Sequence, residues 1–207
     1  MIELNLRPAN GKALQVLCLG AHSDDIEIGC AGTIFKLLEV YRRATVHWVV
    51  LGATLLRASE ARKSAEEILR RAEAKVVVVR DFKNSFFPYM GGQIKEYFEQ
   101  IKREFTPDLI LTHYRNDLHQ DHRVISELTW NAFRDQFILE YEIPKYDGDL
   151  GAPNAFVHLE ESIVQKKLDL ILDNFQSQRD RQWFDQEMRK CSIVARSCSA
   201  KGCAATR

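Results

Sequence analysis

The sequence predicts a single α/β domain of Rossmann-like, three-layer form, with a mainly parallel sheet and helices on both faces. Two observations support this prediction. Apolar runs with the length of buried strands alternate with helical segments through at least five units, and strands that alternate with helices build parallel sheets. The 207 residues are 45% hydrophobic, which is enough to bury one substantial core.

Composition narrows the classes of protein to which the chain can belong. Its 29 basic and 29 acidic residues cancel, so the basic excess that favours nucleic-acid binding is missing. Five cysteines without a C-x-x-C pair predict neither a disulfide framework nor a cysteine zinc site. No apolar run approaches the roughly 18 residues of a membrane span, and the first residues lack an apolar signal core. We therefore expect a cytoplasmic protein with no nucleic-acid partner and no membrane span.

In chain order, the first predicted strand is the apolar run Leu14 to Leu19, which ends at small residues that allow a turn. A loop of small residues then precedes a helix with one apolar face. The elements predicted up to the middle of the chain are the loop at 29–33, helix 34–42, strand 45–51, helix 57–71 and strand 75–80. Four consecutive valines in the last of these strands predict burial on both faces.

The second half of the chain opens with an aromatic-rich loop at 81–92, whose planar side chains could line a substrate pocket. The elements predicted after it are helix 93–105, strand 108–112, helix 124–137, a surface excursion at 140–153, a short strand at 155–159 and helices 162–175 and 182–193. Small residues dominate 196–207 and predict an irregular tail. The domain itself is expected to span residues 1–195.

The densest group of reactive side chains follows the first strand. His22, Asp24 and Asp25 fall within four positions, between a strand and a helix, where open α/β sheets place their ligand crevice. An Asp at such a position also caps helices, so one carboxylate here requires no function.

A second group of the same kind follows the strand at 108–112. The segment N-D-L-H-Q-D-H-R, residues 116–123, contains His119, Asp121 and His122. Because the carboxyl ends of parallel strands lie at one edge of a sheet, the two groups are predicted to meet there. Three of the six histidines in the chain lie in these two groups, which makes chance a weak explanation.

These motifs resemble those of the PIG-L/LmbE-like family of zinc-dependent N-deacetylases, which are N-acetylglucosaminyl deacetylase-like proteins. The matching segments are A-H-S-D-D at 21–25, G-C-A-G-T at 29–33, D-L-H-Q-D-H-R at 117–123 and S-Q-x-x-x-x-W-F at 177–184. The family usually has prolines where Ser23 and Gln120 stand, and a glycine in place of Ala31. None of these differences removes a reacting group.

The resemblance implies a catalytic zinc ion bound by His22, Asp25 and His122. Two histidines and one carboxylate meet the needs of a zinc ion that keeps one position for water. Affinity alone does not settle which metal a cell loads, so Fe²⁺ is an alternative ion.

The resemblance also implies the catalytic residues, which are Asp24, His119 and Asp121. Asp24 is expected to act as the general base that takes a proton from the water. His119, with the metal, is expected to stabilise the oxyanion. Asp121 is expected to orient the His119 ring and to favour its protonated form.

The expected function is removal of the N-acetyl group from an amino sugar or a sugar conjugate, in a family that often forms homo-oligomers. Arg57, with Glu60 one turn later, matches a position where the family commonly has Arg and Glu. A guanidinium group there suits a hydroxyl-rich or anionic substrate, because it offers several donors in one plane. A surface ion pair between Arg57 and Glu60 is the alternative.

Two other classes of protein stay open. Two histidines and a carboxylate also form the facial triad of non-haem iron enzymes, and H-S-D at 22–24 has the spacing of the H-x-D element of that triad. The other class is a non-catalytic member of the fold that binds metal or sugar without turnover.

Overall fold

The computed structural model describes residue 6, residues 12–145 and residues 147–179. The strands of this part of the chain are β1 (Leu14–Gly20), β2 (Ala44–Val50), β3 (Ala74–Val79), β4 (Leu109–His113) and β5 (Phe137–Tyr141). The helices are α1 (Asp25–Val40), α2 (Leu55–Ile68), α3 (Gly91–Glu104), α4 (Gln120–Ala132) and α5 (Glu161–Asn174). Short 3-10 turns lie at Leu69–Arg71, Phe87–Tyr89 and Gln176–Gln178.

The five strands form one sheet in the order β3-β2-β1-β4-β5, and every pairing within it is parallel. Successive side chains of β1 point to opposite faces of the sheet. Val16 and Cys18 lie in the core that contains residues of α1, α2 and α5, and Leu17 and Leu19 lie in the core that contains residues of α3 and α4. The predicted three-layer α/β fold with helices on both faces is confirmed.

Strands β1 and β4 are neighbours at the centre of the sheet, paired through residues such as Cys18 and Leu111. The chain moves from β1 outwards to β2 and β3, and then returns to the other side of β1 to form β4. In open α/β sheets, the crevice beyond the carboxyl ends of strands at such a reversal is the usual ligand site. The sheet order therefore brings the segments after β1 and β4 together.

Helix α1 begins at Asp25, so the small residues at 29–33 lie inside a helix and the prediction of a loop there is wrong. Packing explains the glycines. A Cβ atom at Gly29 would lie 2.1 Å from the Tyr141 ring, and one at Gly32 would lie 2.4 Å from Leu159. The small residues of α1 therefore allow other parts of the chain to cross the helix closely.

The region after β4 also differs from the prediction. Helix α4 starts at Gln120 and ends at Ala132, and Phe137, predicted to end that helix, begins β5 instead. β5 forms because it pairs with β4 in register, Leu109 beside Phe137, and such pairing overrides local preference. Residues 155–159, predicted as a short strand, have no regular structure.

Strand β3 is an edge strand, and the prediction that it is buried on both faces is wrong. Val76 is 44% exposed, and among the described strands β3 pairs only with β2, at the end of the sheet. The guanidinium of Arg62 donates hydrogen bonds to the carbonyl groups of Val77 and Val79 on this strand. An arginine in this position hinders the pairing of the edge strand with a strand of another chain.

Several predictions fall on residues that the structure does not describe. They are the helix at 182–193, Trp183 and Phe184 of the late motif, the tail at 196–207 and the domain boundary at 195. Within 12–145 and 147–179, no helix is long and apolar enough to cross a bilayer. Cys18 and Cys30 in this part of the chain are buried free thiols.

Candidate metal centre and active site

The two predicted groups of polar residues meet at the carboxyl ends of β1 and β4. The segment after β1 contributes side chains that are almost completely buried, and so does the start of α4. The buried members are His22, Asp24, Asp25, Asp121 and His122, and His119 is half-buried beside them. Burial of so many ionisable groups is costly unless they are paired or bind an ion.

Three ligand atoms form a compact triangle in this cluster. His22 Nδ1 lies 3.2 Å from His122 Nε2 and 3.4 Å from Asp25 Oδ2. His122 Nε2 lies 3.5 Å from Asp25 Oδ2. A tetrahedral zinc ion with bonds of about 2.0–2.1 Å holds its ligand atoms about 3.3 Å apart. The three ligand atoms of the predicted set therefore have the mutual spacing that one tetrahedral ion requires.

The outer nitrogen of His22 is paired with Asp121. Nε2 of His22 lies 3.1 Å from Asp121 Oδ2, and the same carboxylate accepts hydrogen bonds from the backbone N–H groups of Ser85 and Phe87. A carboxylate on the far nitrogen of a ligand histidine fixes the ring and its tautomer. The expectation that this carboxylate orients His119 is therefore wrong, since its partner is His22.

His122 is backed in the same way by Asp117, a residue for which the sequence suggested no role. Nδ1 of His122 lies 2.9 Å from Asp117 Oδ2, and Asp117 Oδ1 lies 2.9 Å from the ammonium group of Lys145. Burial by itself would raise the pKa of Asp117, but the combined interactions with His122, Lys145 and the His119 N–H lower it. Each of the two histidines in the triangle thus has its own ionised carboxylate.

Asp24 lies beside the triangle with its carboxylate turned to Arg57. A guanidinium N–H of Arg57 donates to Asp24 Oδ1 over 2.9 Å, and the Asp24 side chain makes no helix-capping hydrogen bond. Burial raises the pKa of Asp24, and the nearby charge of Arg57 opposes the rise. The capping interpretation of Asp24 therefore does not hold, and neither does the pairing of Arg57 with Glu60.

Glu60 has a different task in the structure. Its carboxylate accepts hydrogen bonds from the backbone N–H and the hydroxyl group of Ser177, over 2.9 and 2.6 Å. Ser177 begins the late S-Q motif. The pair therefore ties the segment after α5 to helix α2.

His119 caps helix α4 through its ring. Its Nδ1 accepts a hydrogen bond from the backbone N–H of Asp121, 3.2 Å away. Burial and the neighbouring rings of His122 and His22 lower the pKa of His119 to about 4, which favours the neutral ring over the protonated form expected from the sequence. Because Nδ1 is an acceptor, the proton of the neutral ring is on Nε2, which can still donate a hydrogen bond.

His113 is part of the cluster, although the sequence reasoning did not single it out. Its ring is fully buried and stacks on His122 with centroids 4.0 Å apart. Its Nε2 accepts a hydrogen bond from the Ala21 N–H and lies 3.2 Å from Asp25 Oδ2. The sequence could have indicated His113 by its position, because it is the last residue of β4 and lies at the ligand-binding edge of the sheet.

The loop between β3 and α3 closes one side of the site. Phe87 is buried with its ring centroid 6.0 Å from that of His22, and Ser85 adopts a left-handed backbone conformation with φ 66°. The Gln120 side chain, which stands where the family usually has proline, donates to the Ser85 carbonyl over 2.6 Å. This departure from the family pattern therefore adds an anchor for the loop.

Comparison with solved structures supports the fold. N,N'-diacetylchitobiose deacetylase from Pyrococcus horikoshii has a TM-score of 0.64 at 21% identity, over 92% of this chain and 81% of that one. A deacetylase of the teicoplanin biosynthetic pathway has a TM-score of 0.67 at 16% identity, over 84% of this chain and 86% of that one. The 4-carboxy-2-hydroxymuconate hydratase of Pseudomonas putida has a TM-score of 0.68 at 17% identity, over 91% of this chain and 92% of that one. Since a hydratase shares the fold, the fold alone does not decide the reaction.

The family assignment comes from a match to a family model that is described as PIG-L, GlcNAc-PI de-N-acetylase. The match covers residues 17–133, which is more than half of the 207 residues. It includes both polar segments, the end of β1 and all of β4, the strands that bring these segments together. The chain therefore belongs to the PIG-L family of de-N-acetylases.

Proposed function

We propose that this protein is a zinc-dependent N-deacetylase that removes the acetyl group from an amino sugar or a sugar conjugate. The observation that carries the proposal is the triangle of ligand atoms from His22, Asp25 and His122, with the carboxylate of Asp24 next to it. Membership of the PIG-L family supports the reaction class. Structural neighbours named as a diacetylchitobiose deacetylase and a teicoplanin-pathway deacetylase support a sugar-related substrate.

The metal would be held by His22, Asp25 and His122. When bound, a zinc ion at such a site acts as a Lewis acid and lowers the pKa of its water to about 7. The backbone N–H of His22 donates to Asp25 Oδ2 over 2.7 Å and so helps to keep this carboxylate turned into the site.

Asp24 is the general base in this proposal. It takes one proton from the attacking water while the water oxygen bonds to the carbonyl carbon of the N-acetyl group. The C–N bond then breaks, the amine nitrogen takes up the proton that Asp24 removed from the water, and acetic acid leaves and ionises to acetate. Burial raises the pKa of Asp24 against the opposing charge of Arg57, and a base is most effective when its pKa approaches the working pH.

His119 donates a hydrogen bond to the oxygen that becomes negative when water adds to the amide. Its Nδ1 is already occupied by the Asp121 N–H, so Nε2 of the neutral ring has the proton that is needed. Loss of one such donor typically slows a reaction by about a hundredfold or more. Asp121, which contacts His22, acts in this scheme as a positioning residue.

Arg57 is proposed to bind substrate. Its guanidinium already lies at the site through Asp24, and it has further N–H groups for the hydroxyl or anionic groups of a sugar conjugate. We therefore expect Arg57→Lys to raise KM, because an ammonium group cannot reproduce the planar set of donors.

The test measures zinc content and amine release together, on a panel that includes N-acetylglucosamine, diacetylchitobiose and glycoconjugates. We expect about one zinc per chain and chelator-sensitive release of amine and acetate in equal amounts. Asp24→Asn should keep the metal and lower the rate by at least about a hundredfold. The matched control is Asp135→Asn, which alters an exposed carboxylate between α4 and β5 and should leave the rate unchanged.

The same experiment separates the rival classes. Bound zinc with no release from any member of the panel, by wild type and Asp24→Asn alike, would favour a non-catalytic binding protein. A requirement for iron and O₂ would favour a non-haem iron enzyme. The geometry disfavours the H-x-D version of that site, since Asp24 faces Arg57 and Asp25 completes the triangle. Zinc as the native metal, a cytoplasmic location, homo-oligomer formation and the absence of a nucleic-acid partner stay predictions.

A further inference from the structure

Lys145 is a nearly buried cation in the loop after β5, where the sequence predicted only a surface excursion. Its side chain is 14% exposed, and its Nζ lies 2.9 Å from Asp117 Oδ1 and 2.5 Å from Asp149 Oδ2. An ammonium group is costly to bury without partners. The two carboxylates supply those partners.

Both carboxylates also bind the segment that carries the site histidines. Asp117 Oδ1 accepts a hydrogen bond from the His119 N–H over 2.7 Å, and Asp149 Oδ2 accepts one from the Leu118 N–H over 2.6 Å. The other oxygen of Asp117 contacts the His122 ring. Lys145 is therefore connected to the candidate metal ligand His122 through a single side chain.

The fold of this loop turns Lys145 inwards. Gly148 has a positive φ of 63°, which a residue without a Cβ adopts readily. The Gly151 N–H donates to Glu142 across the loop over 2.5 Å, and a Cβ atom at Gly151 would lie 2.6 Å from the Tyr114 hydroxyl oxygen. The loop is thus packed directly against the segment that follows β4.

We propose that Lys145 is a positioning residue for the metal centre, which holds His122 in its binding orientation through Asp117. The inference rests on the proposed metal site. Without the ammonium group, the carboxylates of Asp117 and Asp149 would keep their backbone hydrogen bonds but would have no cation between them. Their repulsion would turn Asp117 away from the His122 ring and separate the loop from the ligand-bearing segment.

If Lys145 acted only through its charge, its replacement would change the metal affinity in the opposite direction. Removal of a positive charge near a divalent cation should tighten its binding. Loss of orientation should weaken it, since partners of ligand histidines typically contribute about 10-fold to 100-fold in metal affinity. The direction of the change in affinity therefore decides between positioning and simple charge repulsion.

The experiment measures the affinity of the full-length, metal-free protein for Zn²⁺ by competition with a chromophoric chelator. It also records the visible spectrum with Co²⁺ in place of zinc, which reports ligand geometry. We expect Lys145→Met to weaken Zn²⁺ binding by about tenfold and to change the Co²⁺ spectrum. Lys145→Arg, which keeps the charge, should restore most of the affinity.

Lys95→Met is the matched control, because Lys95 also pairs with a carboxylate four residues later, Glu99, but on helix α3. It should leave both readouts unchanged. Wild-type affinity or tighter binding in Lys145→Met, with an unchanged Co²⁺ spectrum, would overturn the positioning role. If Lys145→Met does not fold, Lys145→Gln must weaken Zn²⁺ binding in the same direction, and no loss of affinity in that variant would also overturn the positioning role. Failure of the wild type to bind Zn²⁺ would instead contradict the proposed function.

Discussion

The two histidine–carboxylate pairs of the site have similar lengths, but they use different ring nitrogens and are supported by different groups. His22 lies 3.1 Å from Asp121, and His122 lies 2.9 Å from Asp117. Asp121 is stabilised by two backbone N–H groups of the loop before α3. Asp117 is stabilised by one backbone N–H and by the charge of Lys145. One carboxylate is therefore held mainly by peptide dipoles, and the other depends on a side chain far along the chain.

This difference indicates how each half of the site responds to change. Backbone donors survive every substitution that leaves the loop folded, so the His22 side should tolerate mutations around Ser85 and Phe87. The His122 side depends on a cation that a single substitution removes. Both arrangements are ways of keeping a buried carboxylate ionised beside a ligand.

The largest effect is expected from removal of either ligand histidine. His22→Ala and His122→Ala should each reduce bound zinc from about one ion per chain to a small fraction, because a tetrahedral catalytic site needs three protein ligands. Metal content after dialysis is the measurement. His158→Ala, at an exposed histidine outside the cluster, should keep its zinc. Stoichiometric zinc in His22→Ala would refute the ligand assignment.

The next effect compares the two supporting carboxylates. Asp121→Asn and Asp117→Asn should each weaken zinc binding by about 10-fold to 100-fold, because the ligand ring loses its orienting partner. Only Asp121→Asn should also raise KM, since the loop containing Phe87 is anchored on that carboxylate. Chelator competition measures the zinc affinity, and steady-state kinetics measures KM. Equal KM changes in both variants would remove the proposed distinction between the two sides.

A pH effect sharpens the comparison further. Burial lowers the pKa of His22, but the carboxylates of Asp25 and Asp121 more than offset this and raise it to about 10 in the metal-free protein. The pKa of an unfolded histidine is about 6.5. Because folding raises the pKa of His22, protonated His22 stabilises the metal-free fold. This stabilisation is complete below about pH 6.5 and is lost as the pH rises to 10. Zinc must displace the same proton, so its affinity should increase between about pH 6 and 9.

Isothermal titration in buffers of different ionisation enthalpy counts the protons released when zinc binds. Asp121→Asn should shift the rise in affinity to lower pH, because His22 loses one of the charges that hold its proton. Asp117→Asn, on the opposite side, should leave the midpoint unchanged. A zinc affinity that does not vary with pH in the wild type would contradict the assignment of His22 as a ligand.

The smallest effect concerns the backbone that supports Asp121. Ser85 has a φ of 66°, a conformation that costs a residue with a side chain about 1–2 kcal/mol. Ser85→Gly should therefore stabilise the fold by up to about 1 kcal/mol after the entropy cost of glycine. Thermal unfolding measures it. Ser59→Gly in helix α2 is a control of opposite sign, since glycine within a helix costs about 1 kcal/mol.

Most of the fold follows from the sequence because it depends on local patterns. The apolar runs of β1, β2 and β4 and the alternation with helices predict a parallel sheet whose carboxyl edge collects His22 and His122. Burial of β3 could not be read from four valines, because a strand is buried on both faces only where helices cover both, and β3 lies at the edge. The start of α1 was missed because its glycines serve contacts with distant residues.

Within the site, the sequence predicted which residues meet but not how they are paired. Asp121 and His119 are two positions apart, yet the carboxylate contacts His22, 99 positions away. The ion pair between Lys145 and Asp117 depends on the path of the loop after β5. The pattern of apolar and polar residues in the sequence does not predict that path. Such contacts are set by the register of β4 and β5 and the entry angle of α4. They become visible only when the tertiary structure is known.

The contact between Gly29 and Tyr141 has a consequence for experiments that survey every substitution. Any side chain at Gly29 would collide with the aromatic ring, whose hydroxyl group donates to the Leu19 carbonyl within the sheet. In a mutational scan scored by growth, this glycine would therefore look as intolerant as His22. The causes differ, because variants at Gly29 would lower the amount of folded protein in the cell, whereas variants at His22 would leave inactive protein at normal abundance. A scan that records abundance as well as activity would tell the packing residue from the ligand.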